Sequence, residues 1–344
     1  MNLPFNNILR KRYYERLEEI FNSNVWSNGE QTIEFEKKFS QYTKIPARTI
    51  SSGGAGILAI LDYIDIKNKE VIVPTNTFWA TTRAIQLAGG IPVFADVSKE
   101  DLCLTIEEVQ KNITQKTKVI LLVHIGGHIA FDTLKISEFC KTKDLYLVED
   151  CAHAHGATWN GRHAGSFGFA GSYSFYATKT MPTGDGGMIV STNEEFLTWV
   201  EKYRNYGKNI VNNIVQYPIK EGFNYRLSEF TSALGIVQLE NLEIILSWKR
   251  KLANKFNNIF PKHERINFPV GMDSGYYKYI VFRKDLKQKT GQVFGPHDLN
   301  HVISNTCGQY PNAKWISQNH QCVPIWYGWE HAEKNIHDIK KILL

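Results

Sequence analysis

The sequence contains no long hydrophobic run, and this absence limits the classes of protein to which it can belong. Although 43% of its 344 residues are hydrophobic, no apolar segment reaches the roughly 18 to 20 residues that a membrane-spanning helix needs. The first residues carry their basic side chains after the apolar ones, whereas a secretory signal peptide has the opposite order. We therefore expect a cytoplasmic protein without a membrane partner.

Cysteines, nucleotide-binding motifs and charge of one sign are also scarce. The cysteines are odd in number and none is spaced as CxxC, so we expect reduced, packed thiols; they are Cys103, Cys140, Cys151, Cys307 and Cys322. No GxGxxG or Walker A lysine motif is present, which argues against a dinucleotide or ATP as ligand. The net charge of +6 is dispersed, which argues against a nucleic-acid-binding stripe but suits a small anionic substrate.

Short apolar runs alternate with helical patterns through most of the chain. The predicted buried strands lie at 71–74, 92–96, 119–124, 145–150, 171–175 and 187–191. Helices are predicted at 56–64, 81–88, 106–112 and 133–141, and capping motifs begin at Thr105 and Thr192. This alternation predicts an α/β fold with a mostly parallel sheet covered on both faces, whose ligands bind beyond the carboxyl ends of the strands.

The pattern changes in the last third of the chain. Residues 228–260 have the apolar spacing of one long helix that connects two domains. Beyond residue 262, an alternating strand at 276–282 and a terminal helix at 332–344 indicate a smaller α+β domain. We place a large domain, which includes the N-terminal segment, at 1–245 and a small C-terminal domain at 246–344.

Lys179 is the first candidate for chemistry. Small and aromatic residues flank it, and a glycine-rich run at 184–187 follows. Two interpretations stay open when the lysine is considered alone. Its amine forms a Schiff base with an aldehyde cofactor, or the side chain lies at a strand edge and extends its charge to solvent.

Two other segments have residue types that suit a cofactor. The turn at Ser52, Gly53 and Gly54 leads into a helix, where free N–H groups and the helix dipole favour an anion such as phosphate; the alternative is a tight turn that only needs glycine. Phe78 and Trp79 follow a strand, and one of the two is suited to cover a flat ring while core packing is expected of the other.

The acidic pair Glu149 and Asp150 ends a predicted buried strand. An unpaired carboxylate there would be costly, and a pyridinium N–H, as in pyridoxal phosphate, is a suitable partner for Asp150. The alternative is a carboxylate that caps the next helix. His153, further on, is suited to bond ring substituents, and together with His155 it lacks further ligands at metal-site spacing.

In their order along the chain, these segments resemble the DegT/DnrJ/EryC1/StrS family of sugar aminotransferases, which depend on pyridoxal 5'-phosphate (PLP) and have fold type I, that of aspartate aminotransferase. The resemblance covers nearly the whole sequence. It rests on residues 26–29, 35–39, 52–53, 77–78, 89–96, 123–124, 149–150, 165–168, 174–175, 179, 184–187, 222–229 and 322–325. It implies a three-layer αβα fold and a homodimer whose sites lie at the subunit interface.

The resemblance also implies a role for individual residues. Lys179 is expected to form the internal aldimine with PLP, and Asp150 to pair with the pyridine nitrogen. Phe78 is expected to stack on the ring, and His153 to lie near the ring hydroxyl. The phosphate is expected to be bound by Gly53, Gly54 and Ser174, and by Asn224 of the neighbouring subunit. For sugar contacts the candidates are His124, His297 and Trp326, for each of which structural packing is the alternative.

The activity that the resemblance implies is transfer of an amino group from glutamate to a keto group of a nucleotide-linked sugar, with ping-pong kinetics. Two alternatives stay open: a PLP-dependent dehydratase or lyase, and a PLP-binding regulatory protein without turnover. Lys179 argues against the family's dehydratase branch, which has histidine there. Departures from the family pattern at Gly53–Gly54, at 123–127 and in the short segment 295–310 concern mainly the substrate.

Overall fold

The computed structural model describes residues 5–303 and 309–344. The helices are α1 (Asn7–Ser23), α2 (Glu30–Thr43), α3 (Gly53–Ile64), α4 (Trp79–Leu87), α5 (Ile106–Asn112), α6 (Thr133–Thr142), α7 (Glu194–Tyr203), α8 (Glu229–Ile259), α9 (Pro296–Ile303), α10 (Pro311–Asn319) and α11 (Ile336–Leu343). The strands are β1 (Ala47–Ile50), β2 (Glu70–Pro74), β3 (Ile91–Ala95), β4 (Thr117–Val123), β5 (Tyr146–Asp150), β6 (Thr158–Trp159), β7 (Arg162–His163), β8 (Ala170–Ser174), β9 (Gly187–Val190), β10 (Asn209–Val211), β11 (Ile214–Gln216), β12 (Met272–Asp273), β13 (Tyr279–Val281) and β14 (Gln321–Val323). Of the helices in these two ranges, none is long and apolar enough to cross a membrane.

A seven-stranded sheet in the order β1-β9-β8-β5-β4-β2-β3 forms the centre of the fold. The neighbours from β3 through β8 pair in parallel, and β9 runs antiparallel to both β8 and β1. The predicted α/β class with a mostly parallel sheet is therefore confirmed. All six predicted strands of this region are present, whereas β1 was not predicted.

Pairing register brings the ends of three strands together. Asp150, the last residue of β5, lies opposite Ser172 in β8. Ser174, the last residue of β8, lies opposite Gly187, where β9 begins. The polar residues at the carboxyl ends of β5 and β8 therefore share one edge of the sheet, where ligands of such sheets bind.

Side chains cap several of the helices that cover the sheet. Thr105 accepts a hydrogen bond from the N–H group of Glu108 and begins α5, as predicted. The prediction for α7 was wrong by one residue, because Asn193 and not Thr192 accepts from the N–H group of Phe196. Asparagine is a better cap than threonine, so the adjacent residue takes that position.

The predicted long helix is α8, with Ser228 as its N-cap and Phe260 after its last turn. Its second half packs with β13, β14 and α11 around an apolar cluster that includes Phe256 and Trp329. The predicted strand at 276–282 is shorter than expected, and the terminal helix begins at Ile336, after the Asn335 cap. The domain boundary at 245/246 falls inside α8, and the division into two domains stays a prediction.

Four of the five cysteines, Cys103, Cys140, Cys151 and Cys322, are free and buried. Cys307 lies outside the described residues. The buried thiols are far from ionisation, since burial raises the pKa of Cys140 and of Cys322 to about 12. The described cysteines therefore have the packing role that was predicted for them.

Candidate active site

Lys179 lies in the loop between β8 and β9, beside the carboxyl end of β8. Its backbone N–H group donates to the carbonyl of Tyr176 at 2.9 Å. The ammonium lies against the ring of Tyr277, with Nζ at 5.1 Å from the ring centre. Burial lowers the pKa of Lys179 to about 8, Asp150 opposes this change and the like charge of Lys278 adds to it. The side chain therefore loses its proton more readily than an ordinary lysine, as a nucleophilic lysine needs.

Asp150 ends β5 and is only 7% exposed. Its Oδ1 accepts from the N–H group of Ala152, and its Oδ2 accepts from the hydroxyl of Thr81, both at 3.0 Å. Burial raises the pKa of Asp150, whereas the bonds from Ala152 and Thr81 and the charge of Lys179 lower it. The carboxylate is thus available to one further donor, and a pyridinium N–H has the required chemistry.

Thr81 is a site residue that the sequence did not reveal. It lies in the first turn of α4, and its hydroxyl accepts a hydrogen bond from Thr77 at 2.9 Å while it donates to Asp150. This two-hydroxyl chain fixes the orientation of the carboxylate. The sequence offered only one signal for it, a threonine placed four residues after another threonine at the start of a helix.

The first turn of α3 forms an anion-binding cradle. Ser52 caps the helix by accepting from the N–H group of Ala55 at 3.1 Å. Across the described residues, the N–H groups of Gly53 and Gly54 have no acceptor. A Cβ atom at Gly53 would lie 2.8 Å from Cβ of Ser174, so only glycine fits there. Free donors, helix dipole and a neighbouring hydroxyl suit a phosphate group.

Either Phe78 or Trp79 was expected to pack in the core, and this prediction was wrong. Phe78 is 67% exposed and Trp79 is 55% exposed, and neither belongs to the core. The reason is local, because Phe78 is the N-cap of α4 and Trp79 is its first residue, so both project from the end of the helix. The exposed ring of Phe78 is therefore free to cover a flat ligand.

His153 stacks on Tyr277, with ring centres 4.0 Å apart and an interplanar angle of 20°. Its Nδ1 accepts a hydrogen bond from the N–H group of Gly126 at 3.4 Å. Burial lowers the pKa of His153 well below its usual value, and Lys179 contributes to this. The imidazole is therefore neutral. Tyr277 connects His153 and Lys179, which the sequence places 26 residues apart, and this tyrosine was not among the predicted site residues.

The proposed sugar contact at His124 is contradicted by its surroundings. His124 is fully buried, its Nδ1 accepts from the N–H group of Ala130 at 3.2 Å, and its Nε2 lies 2.9 Å from Oε2 of Glu149. Glu149 is equally buried and also accepts from the N–H groups of Gly165, Phe167 and Gly168. Both ring nitrogens are thus hydrogen-bonded within the protein, and the buried ring of His124 is not accessible to a substrate.

The remaining candidates lie in different places. A cavity of about 470 Å³ is lined by Lys179, Tyr277 and Trp326 among others. His297 is exposed in the first turn of α9 and does not line this cavity. Asn224 is exposed in the segment before α8, where it pairs with Asn205 in a single β-bridge.

Two buried groups of side chains have atoms close enough to bind a metal, Asp101–Cys103–His128 and His124–Glu149–Cys151. The carboxylates of both already accept hydrogen bonds from backbone N–H groups. Neither His153 nor His155 belongs to these groups. Internal hydrogen bonds thus account for both clusters.

Comparison with known proteins adds a second line of observation. The model of the DegT/DnrJ/EryC1/StrS aminotransferase family matches residues 7–339. GDP-perosamine synthase of Vibrio cholerae is 34% identical over 68% of this chain and 64% of its own length, so the match spans slightly less than two thirds of that relative. The dTDP-3-amino-3,4,6-trideoxy-alpha-D-glucose transaminase of Micromonospora megalomicea subsp. nigra is 31% identical over 78% of this chain and 73% of its own length.

Solved structures have the same architecture. The structure of S. venezuelae DesV, described as a complex with a ketimine intermediate, superimposes with a TM-score of 0.86 and 25% identity, over 97% of this chain and 94% of that one. A DegT DnrJ EryC1 StrS aminotransferase from Brucella abortus superimposes with a TM-score of 0.87, at 21% identity over 99% and 98% of the two chains. The predicted fold of the PLP-dependent aminotransferases is confirmed by these matches.

Proposed function

Because the chain belongs to the DegT/DnrJ/EryC1/StrS aminotransferase family, we propose that it is a PLP-dependent aminotransferase acting on a nucleotide-linked keto sugar, with glutamate as the amino donor. One observation carries this proposal: Lys179 has a lowered pKa and couples electrostatically to the buried Asp150. An amine that is partly free at neutral pH and a buried carboxylate in need of a cation are the two groups that PLP requires.

The residues of the site fit the cofactor at three points. The N–H groups of Gly53 and Gly54, with Ser174 beside them, would bind its phosphate. Asp150, oriented by Thr81, would pair with the pyridine N–H group. The exposed ring of Phe78 would cover the cofactor ring. When bound, PLP supplies an electron sink that stabilises negative charge on the substrate carbon.

Lys179 has two tasks in this proposal. Its amine would hold the cofactor by bonding to the aldehyde carbon with loss of water, and an incoming donor amine would displace it. The displaced amine, whose pKa burial lowers to about 8, would then act as the base and the acid that move the substrate proton. His153 would bond the ring hydroxyl through Nε2, because its Nδ1 already accepts from the N–H group of Gly126.

The names of relatives support the proposed substrate class. The names of the Vibrio cholerae and Micromonospora relatives refer to GDP-linked and dTDP-linked sugars, which supports a nucleotide-linked acceptor without choosing the nucleotide. Trp326, on the wall of the cavity next to Lys179, is suited to pack against the sugar. His297 lies apart from that cavity, which leaves Trp326 as the stronger candidate for a sugar contact.

We propose that the active form is a homodimer in the cytoplasm. The hairpin β10–β11 carries exposed apolar side chains at Ile210 and Ile214, and Tyr217 follows it. Isolated exposed apolar residues are ordinary, but a group of this size on one projecting hairpin favours a protein partner. Asn224 follows the same hairpin and is exposed, as a residue that reaches a neighbouring site must be. Sedimentation of the purified chain at twice the monomer mass of 39.4 kDa tests this.

The activity is tested by its first half-reaction. The protein purified with PLP is expected to have the visible band of a lysine-bound cofactor, and glutamate should convert it to the pyridoxamine form with release of one equivalent of 2-oxoglutarate. A spectrum that responds to no amino donor would exclude transamination and favour a regulatory PLP-binding protein. Loss of water or another group from a sugar nucleotide without amine transfer would favour the dehydratase or lyase.

A further inference from the structure

Three lysines line the cavity, and only Lys179 has a task in the proposed reaction. The other two are Lys249, from α8, and Lys278, one residue before β13. No carboxylate forms an ion pair with any of the three in the part of the chain that the structure describes. The acidic lining residue Glu330 has its side chain 76% exposed and pairs with His331. The cavity therefore has an excess of positive charge.

Lys249 is 6% exposed, which is rare for a lysine without a charged partner. Its Nζ donates to Oγ1 of Thr180 at 3.3 Å and to the carbonyl of Tyr276 at 3.1 Å. An ammonium has three donors, so one remains for another acceptor. Both acceptors are neutral, and burial lowers the pKa of Lys249 to about 7, with a further contribution from Lys278. An anion in the cavity would relieve this cost.

Lys278 lies against the same tyrosine ring as the reacting amine. Its Nζ is 5.4 Å from the ring centre of Tyr277, and Nζ of Lys179 is 5.1 Å from the same centre. The two ammonium groups raise each other's energy, since Lys278 lowers the pKa of Lys179. The backbone N–H group of Lys278 donates to the carbonyl of Gly126 at 3.0 Å, whereas its ammonium has no hydrogen bond to any described residue. Its three donors are thus free for a ligand that enters beside Lys179.

We propose that Lys249 and Lys278 bind a carboxylate of the substrate, and that this carboxylate is one of those carried by an acidic amino donor. The inference rests on the proposed function and names the residues that determine which amino donor binds. In a ping-pong reaction both substrates use one site, and a donor must hold its amine at Lys179 while its acidic groups reach further into the cavity. A dicarboxylic amino acid matches this arrangement, because its amine can reach Lys179 while one of its two carboxylates meets the two cations.

Binding of glutarate, a dicarboxylate without an amine, tests the subsite without chemistry. Titration calorimetry on the full chain, with and without PLP, is expected to give a dissociation constant that rises at least tenfold in Lys278→Met and in Lys249→Met. Arginine at either position should restore affinity to within about threefold, since the charge returns. Lys251→Met, which changes an exposed lysine of the same helix, is the matched control and should bind like the parent protein.

Rapid mixing then identifies the source of the carboxylate. If it belongs to the donor, Lys278→Met raises the glutamate concentration for half-maximal rate in the first half-reaction but leaves the keto-sugar concentration for half-maximal rate in the second unchanged, because the altered pKa of Lys179 acts on the maximal rates of both. A change confined to the second half-reaction overturns the donor assignment, because the acid group is then the acceptor's. If both methionine variants bind glutarate as tightly as the parent protein does, the carboxylate subsite is refuted. The proposed aminotransferase activity is not affected by that result. Weakened glutarate binding in a protein that transfers no amine would instead uphold the subsite and refute the proposed function.

Discussion

The hydroxyl of Thr81 donates a hydrogen bond of 3.0 Å to Oδ2 of Asp150. Thr77 donates in turn to Thr81 at 2.9 Å, so the proton of Thr81 is left to face the carboxylate. A hydrogen bond to the charged form of a buried acid favours that form. Thr81 therefore opposes the rise in the pKa of Asp150 that burial causes.

Replacing Thr81 by valine is expected to slow amino transfer about tenfold, which corresponds to about 1.4 kcal/mol. The change removes the hydroxyl with little change of shape, so the pKa of Asp150 rises and its hold on the pyridine proton weakens. Single-turnover rates with glutamate measure the effect. Thr82→Val is the matched control, since the buried hydroxyl of Thr82 has no partner among the described residues. Equal rates in both variants would remove Thr81 from the site.

Gly53→Ala is expected to weaken PLP binding at least tenfold, because the new Cβ would lie 2.8 Å from Cβ of Ser174. The clash moves either the helix start or Ser174, and both belong to the phosphate cradle. Gly54→Ala should cause a much smaller loss, since its nearest neighbour would be 3.7 Å away and the N–H group remains. Fluorescence titration of the cofactor-free protein gives both dissociation constants. A greater loss in Gly54→Ala would contradict the geometry of the cradle.

The pH dependence of cofactor attachment should reflect the amine of Lys179. A free amine is the reactive form, and burial lowers its pKa from the usual 10.5 to about 8. The rate of covalent PLP attachment is therefore expected to rise with pH and to level off above about pH 8. In Lys278→Met, the loss of a neighbouring positive charge raises the pKa of Lys179, so the profile should move to higher pH. A profile that stays in place would mean that Lys278 does not act on the amine.

Glu149→Gln is expected to lower the free energy of unfolding by about 3 kcal/mol without touching the chemistry. The carboxylate accepts from His124 and from the backbone of Gly165, Phe167 and Gly168, and an amide nitrogen would meet donors there. Urea unfolding followed by circular dichroism gives the value. Glu138→Gln, at an acid that is 70% exposed on α6, should change stability by less than about 0.5 kcal/mol.

The sequence predicted the fold where local pattern decides the structure. The alternation of apolar runs and helical spacing identified six strands of the central sheet, and the family resemblance is confirmed by the match over residues 7–339. The edge strand β1 was missed because four residues with only partial apolar character carry a weak signal. The helices α1 and α2, which pack along α8, were not predicted from the opening segment of the chain.

The site was predicted only in part because its residues come from separate elements. Lys179 and Asp150 were found because each has an unusual local sequence, and the roles given to them stay predictions. Thr81, Tyr277 and Lys249 have ordinary local sequences, and only the packing of α4, α8 and the β13 segment brings them to Lys179. His124 shows the opposite error, since a polar residue at a strand end can also face the interior, where Glu149 pairs with it.

The central claim is that Lys179, and neither of the other two cavity lysines, carries the cofactor and releases it to an amino donor. Reduction of the PLP-loaded protein with borohydride followed by peptide mass spectrometry tests this directly. We expect the pyridoxyl group on Lys179, and its loss when glutamate is added before reduction. A pyridoxyl group on Lys249 or Lys278, or one on Lys179 that persists after every amino donor, would contradict it.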